Sequence, residues 1–173
     1  RDRSNNPYDT QVVNAASSEL YGAEIEGKYD INPKHAIASG IGYVQTKFLD
    51  FENKGVNYDG KEFPFASNWT GNVTYTFRPV DAFSWDTTLR YVGSSYGNAE
   101  NSKSSPEQWY LDTGVQYLLS QYSLSSEFYV RNVLDKQYVL YDASSNIAGT
   151  TYTAKYWQVN SPREFGLRLT YFW

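Results

Sequence analysis

The eleven residues Arg163–Trp173 (REFGLRLTYFW) constrain the chain more than any other stretch. Read with period two, Phe165, Leu167, Leu169, Tyr171 and Trp173 fall on one face, and Gly166, Arg168, Thr170 and Phe172 on the other. Such alternation makes a strand whose two sides meet different surroundings. One side is wholly apolar and aromatic, and the stretch ends on an aromatic residue. That pattern suits a strand in a membrane barrel, where lipid covers the apolar side and neighbouring strands satisfy the backbone. An edge or core strand of a soluble all-β domain is the other reading of these residues.

The same alternation returns along the chain. It predicts strands at about 18–30, 36–49, 68–78, 83–96, 109–119, 122–134 and 163–173. In the first, Tyr21, Ala23, Ile25 and Tyr29 oppose Glu24, Glu26 and Lys28; in the fourth, Phe83, Trp85, Leu89 and Tyr91 oppose Ser84, Asp86 and Arg90. The two glutamates of the first strand read as solvated or paired with arginines of neighbouring strands. Connections alternate in length: short near 31–35, 79–82 and 120–121, long near 50–66, 97–108 and 135–162. Short turns at one end and long loops at the other are the asymmetry of an outer-membrane barrel, with the turns in the periplasm and the loops outside. A strand of ~9–11 residues spans the bilayer when tilted. The expected fold class is therefore all-β, an antiparallel transmembrane β-barrel.

Composition agrees and narrows function. Mean hydropathy is −0.62, and no stretch reaches the ~20 consecutive apolar residues of a membrane helix. A barrel hides its apolar band by alternation, so this does not argue against the membrane. The 17 Tyr, 9 Phe and 5 Trp fit the aromatic girdles at the two interfaces. The competing account of so many aromatics is a soluble, carbohydrate-binding β-sandwich. With no cysteine there is no disulfide, thiolate metal site or cysteine nucleophile. With no methionine, residue 1 is not an initiator, and the sequence reads as processed or as a piece of something longer. A net charge of −4 without a basic run gives nucleic acid no purchase. The single histidine, His35, falls in a predicted turn beside Pro33, and no G-x-S-x-G, H-E-x-x-H, P-loop or calcium-loop pattern is present. The chain is read as no enzyme, with no catalytic residue, metal site or cofactor.

Four stretches in this order resemble the C-terminal barrel segment of a TonB-dependent outer-membrane receptor of the siderophore-receptor type. Leu20–Gly27 (LYGAEIEG) is similar to the family's G-x-E-x-E strand, and Phe63–Asn68 (FPFASN) to the P-x-x-x-x-N stretch before a descending strand. Val130–Tyr138 (VRNVLDKQY) is close to N-L-x-D-x-x-Y, and Pro162–Phe165 with the aromatic-ended strand matches the terminal P-R and assembly signal. The family normally ends in Phe where this chain has Trp173.

The resemblance implies the last seven or so strands of a larger, 22-stranded barrel, one barrel domain over 1–173 with the plug absent. It implies the bacterial outer membrane as location. It implies active transport in a Gram-negative cell: import of a scarce ligand, most often a ferric siderophore, driven from the inner membrane. The implied partners are the remainder of the receptor (N-terminal strands and plug), the lipid bilayer, the barrel-assembly machinery, the energy-coupling TonB protein and an extracellular metal chelate. Tyr152, Tyr156 and Trp157 are the candidate ligand contacts, with Tyr58, Phe63 and Phe65 behind them. Phe165, Leu167, Leu169, Tyr171 and Trp173 are the candidate membrane-insertion signal, and Arg90, Arg131, Arg168, Glu24 and Glu26 are expected to face the lumen. Which ligand is carried is not encoded in these residues.

Overall fold

A computed structural model describes residues 17–53, 55–146, 151 and 153–173. In chain order the strands are β1 (Ser17–Asn32), β2 (His35–Asp50), β3 (Glu52–Asn53), β4 (Val56–Asn57), β5 (Trp69–Val80), β6 (Phe83–Val92), β7 (Ser95–Tyr96), β8 (Ser104–Ser105), β9 (Gln108–Leu119), β10 (Leu124–Arg131), β11 (Val139–Asn146), β12 (Thr153–Val159) and β13 (Glu164–Tyr171). A single sheet of seven strands carries the architecture, in the spatial order β1-β2-β5-β6-β9-β10-β13. Every pairing is antiparallel. The remaining strands form three small hairpins, β3–β4, β7–β8 and β11–β12, all in the long connections.

Residues paired across an antiparallel ladder share a face, so register turns the sequence alternation into two continuous surfaces. One row runs Ile25, Ile41, Gly71, Tyr91, Trp109; another runs Tyr29, Ile37, Tyr75, Thr87, Thr113. Further along the same face, Val115, Phe128 and Leu167 lie side by side. The opposite face carries the row Glu26, Gly40, Asn72, Arg90, Tyr110 and the row Asp30, Ala36, Thr76, Asp86, Gly114, Tyr129, Gly166. A register slip of one residue would exchange the two sets.

The sheet has no core of its own. Among the described residues, the buried hydrophobic side chains are Ala36, Phe51 and Tyr58, and the last two belong to a loop. Ile25, Ile41, Leu167 and Leu169 stand exposed on the apolar face. A soluble sandwich must cover such a face with a second sheet. Here nothing of the described chain does, and lipid is the medium that makes it stable.

The sheet's other face is organised by close packing of a different kind. Gly166 lies opposite Tyr129 in the register, and the Tyr129 ring occupies the space where a side chain at 166 would stand. A residue without a Cβ is what lets the ring lie flat across the ladder.

The boundaries depart from the periodicity in three places. The strand expected over 83–96 stops at Val92, and Ser95–Tyr96 pairs instead with Ser104–Ser105 above the sheet. The strand expected over 122–134 is shorter at both ends: Ser120–Tyr122 is a 3-10 turn closed by Ser123 at φ 49°, and Asn132 at φ 48° breaks the strand after Arg131. Within 135–162, read from the sequence as one long connection, Val139–Asn146 and Thr153–Val159 form β11 and β12, which pair with each other as a separate hairpin. Alternation reports that a segment is extended; it does not report its partner.

Candidate functional site

The short turns lie at one end of the sheet and the three long connections at the other. The longest one is closed at its base by residues from two separated stretches. Asn132 is buried, and its amide nitrogen donates to Lys136 O at 2.9 Å and Ser161 O at 3.1 Å, while its side-chain oxygen accepts from Lys136 N at 3.1 Å. Its left-handed backbone is one that asparagine tolerates. Asp135, also at positive φ, accepts from Arg163 N at 2.9 Å and from the Arg163 guanidinium at 3.4 Å. The Arg163 backbone N–H, and then its side chain, holds the Asp135 carboxyl below the ordinary aspartate range. Tyr138 N donates to Asn160 Oδ1 at 2.6 Å, and the Tyr138 hydroxyl donates to Trp109 O at 3.2 Å. Asn132, Asp135, Tyr138 and Arg163 thus form one staple holding the ascending and descending limbs together.

The other two loops lean on each other. Phe48 packs against Phe51 and Phe63, both at 4.7 Å between ring centres, and Phe51 against Tyr58 at 5.1 Å. Asp59 accepts from Phe51 N at 2.9 Å and from the Asn57 side chain at 3.0 Å, and these bonds hold its carboxyl low. Tyr58 reaches Glu100 of the next loop at 3.3 Å; burial, then the Glu100 charge, pushes its hydroxyl pKa up. Asn101 exchanges hydrogen bonds with Glu62, accepting from its N–H at 2.8 Å and donating to its carbonyl at 3.0 Å. Phe65 N donates to Tyr96 O at 2.7 Å, and the Phe65 ring meets Tyr141 edge-on at 5.7 Å. The result is a rim in which all three long connections touch.

The candidate ligand contacts separate on this rim. Tyr58 and Phe63 are interior to the aromatic stack, while Phe65 is exposed. Tyr156 and Trp157 stand exposed on β12, and Trp157 borders a recess of about 260 Å³ shared with Tyr141, Gly97 and Pro106. Tyr152 lies outside the described residues. Phe165, Leu167, Leu169, Tyr171 and Trp173 are all exposed, the first four on the apolar face of β13.

The polar face carries paired charges. Arg90 donates to Asp112 from Nε at 3.0 Å and Nη2 at 2.8 Å, and Arg168 to Glu127 at 2.7 Å. The Arg131 and Arg168 guanidiniums lie 5.1 and 5.8 Å from the Tyr129 ring centre, and Arg90 lies 5.0 Å from that of Tyr110. Glu24 and Glu26 share this face through their partners Gly42 and Gly40. His35, placed in a turn by the sequence, instead opens β2; it is half-buried, hydrogen-bonds the Tyr75 hydroxyl at 2.6 Å and stacks on Phe77 at 4.7 Å. Its ladder partner Phe77 draws the ring onto the apolar side of the sheet. Among the described residues, no group of three His, Cys, Asp or Glu is placed to hold a metal ion.

A sheet with one aromatic, uncovered face, one charged face, short turns at one end and interlocked loops at the other is a section of outer-membrane β-barrel wall. A family model described as TonB dependent receptor-like, beta-barrel, matches residues 1–133. The chain belongs to that family. It is 27% identical over 122 residues to the ferrichrome outer membrane transporter/phage receptor of Escherichia coli K12, covering 68% of this chain and 16% of that protein. Its fold is similar to the ferric yersiniabactin uptake receptor of Yersinia pestis, with TM-score 0.68, 19% identity, and 88% of this chain on 23% of the receptor. It is also similar to the copper transporter OprC, with TM-score 0.66, 17% identity, and 88% of this chain on 24% of that one. The chain therefore spans under a quarter of these relatives.

Proposed function

We propose that this chain is part of an outer-membrane receptor that captures a ferric siderophore outside the cell and imports it with energy coupled from the inner membrane through a TonB protein. Membership of the family, by a match over residues 1–133, carries this reading. The ferrichrome relative supports iron as the cargo; the similar copper transporter means that the fold alone does not choose the chelate. The charged face, with Arg90, Arg131 and Arg168, fits a barrel interior filled by a plug, and the exposed stripe Phe165, Leu167, Leu169, Tyr171 and Trp173 fits the signal read by the barrel-assembly machinery. The rim is the extracellular ligand surface, with Tyr156 and Trp157 as contacts on the projecting hairpin and Tyr152 beside them in sequence. A carbohydrate-binding sandwich finds no support, because the sheet buries no core.

The test is uptake of radioactive iron by cells that carry or lack the full-length receptor, supplied as a panel of ferric hydroxamate, catecholate and carboxylate chelates. Uptake of at least one chelate that needs both the receptor and an energised inner membrane is expected. No receptor-dependent uptake of any of them would refute the iron reading. Replacing Trp157 with Ala should weaken binding of the accepted chelate by about tenfold, the usual effect of removing one exposed aromatic anchor; unchanged affinity would remove Trp157 from the site.

A further inference from the structure

Residues Phe63–Ala66 form a turn, closed by the Ala66 N–H donating to Phe63 O at 3.4 Å, with Pro64 second and Phe65 third. Phe65 stands at φ 62°. A turn with proline second and a positive φ third ordinarily carries Gly or Asn at the third place. For a bulky side chain that left-handed region is disfavoured by about tenfold, because the Cβ crowds the backbone. Both flanks hold Phe65 there. The Phe63 ring packs on Phe48, and its N–H donates to Thr46 Oγ1 at 3.0 Å. The Phe65 N–H donates to Tyr96 O at 2.7 Å, and Asn101 clasps the neighbouring Glu62.

Burial does not account for an aromatic at this place. Phe65 is 60% exposed, and its ring meets Tyr141 edge-on at 5.7 Å. Glycine would fit the turn without strain and leave less apolar surface in water. A large side chain carried on a strained backbone and left in the open points to recognition rather than packing. Its neighbour Tyr141 passes over Gly97, where a Cβ would meet the ring at 4.0 Å. Tyr141, Trp157 and Pro106 line the recess of about 260 Å³. Aromatic surfaces thus converge from the connections 50–66 and 135–162 beside the third, 97–108. Rings set at angles to one another are complemented by a further ring, stacked or edge-on. Lys103 lines the same recess and supplies a cation for an anionic oxygen on that ring.

We propose that Phe65 selects the ligand: with Tyr141 and Trp157 it seats an aryl arm of the ferric chelate. The receptor then takes chelates with catechol or phenol donors in preference to alkyl hydroxamates. This selection rests on the rim being the chelate-binding surface.

The experiment is filter-retention binding of radioactive-iron complexes to the full-length receptor, with a catecholate, a phenolate and a trihydroxamate as the chelators. Wild type is compared with Phe65→Gly, Phe65→Ala and Phe65→Tyr, each checked for folding by heat-modifiable mobility in gels. Wild type should bind a catecholate or phenolate complex more tightly than the hydroxamate. Phe65→Gly and Phe65→Ala should each weaken that binding about tenfold, as loss of one aromatic anchor does, and Phe65→Tyr should retain it. Hydrogen exchange separates recognition from packing. Because Phe65→Gly relieves the left-handed strain, protection of the amide at position 65 should stay at or above the wild-type level while affinity falls. Loss of protection together with affinity would make the ring a structural piece of the turn and overturn the proposal. So would aryl-chelate affinity unchanged in Phe65→Gly. A receptor that prefers the hydroxamate would overturn the selection and leave the uptake reading intact, whereas a receptor that binds no ferric chelate would remove both.

Discussion

Removing the Asn132 side chain should release the longest loop while leaving the sheet intact. Three side-chain hydrogen bonds would go, to Lys136 N, Lys136 O and Ser161 O. Each is worth about 1 kcal/mol net, so their loss weakens closure by about 3 kcal/mol. Alanine would also have to hold φ 48°, a left-handed conformation that costs a non-glycine residue about 1 kcal/mol more. The total for Asn132→Ala is about 4 kcal/mol, and for Asn132→Gly, which escapes the backbone cost, about 3 kcal/mol. The assay is hydrogen exchange on the full-length receptor, followed at the β11 and β12 amides. Opening of the hairpin should become roughly a thousandfold more frequent in the alanine variant, up to the limit set by an unstructured loop. The glycine variant should lie about fivefold below it, and the amides of β5, β6 and β9 should not change. Wild-type exchange rates in β11 and β12 of the alanine variant would refute the staple. Equal acceleration throughout the sheet would refute its local character.

The same staple has a pH signature. Because the folded state lowers the Asp135 pKa from its ordinary 3.8, its contribution is complete above that value and is lost as pH falls through the lower folded value. Hairpin exchange should therefore accelerate, after correction for the intrinsic rate, only in acid below that range; Asp135→Asn should lose most of that dependence, and an unchanged acid response in the variant would exclude Asp135 as its source. On the apolar face, Leu167→Arg should lower stability in vesicles by about 2–4 kcal/mol if the position lies near the bilayer midplane. A urea-unfolding free energy equal to wild type would mean that Leu167 does not meet lipid.

The sheet was legible because its physics is written at period two. Any residue of β13 can be assigned a side from its parity alone, and the ladder with β10 keeps Phe128 beside Leu167 and Glu127 beside Arg168. The positions of the long connections could be read from Asn53, Gly60 and the polar run 97–108, since such residues cannot continue a buried or lipid-facing alternation. The hairpins inside those connections could not. Val139–Asn146 and Thr153–Val159 are extended enough to have lengthened β10 and β13, and the choice against it is made at Asn132, where a side chain from a motif caps the strand and turns the backbone left-handed.

The candidate site shows the same division. Exposure of Tyr156 and Trp157 follows from their place in a polar connection, yet the interior role of Tyr58 and Phe63 depends on Phe48 and Phe51 arriving from the other side of the loop. The most informative stretches were those read as family resemblance, Val130–Tyr138 and Pro162–Phe165, and the structure gives them a physical content. Asp135 and Arg163 are 28 positions apart and joined by two hydrogen bonds. Two short motifs at the base of a long loop fix its two ends whatever residues lie between them. The staple confines a change of loop sequence to the rim, and the paired strands beneath it keep their register.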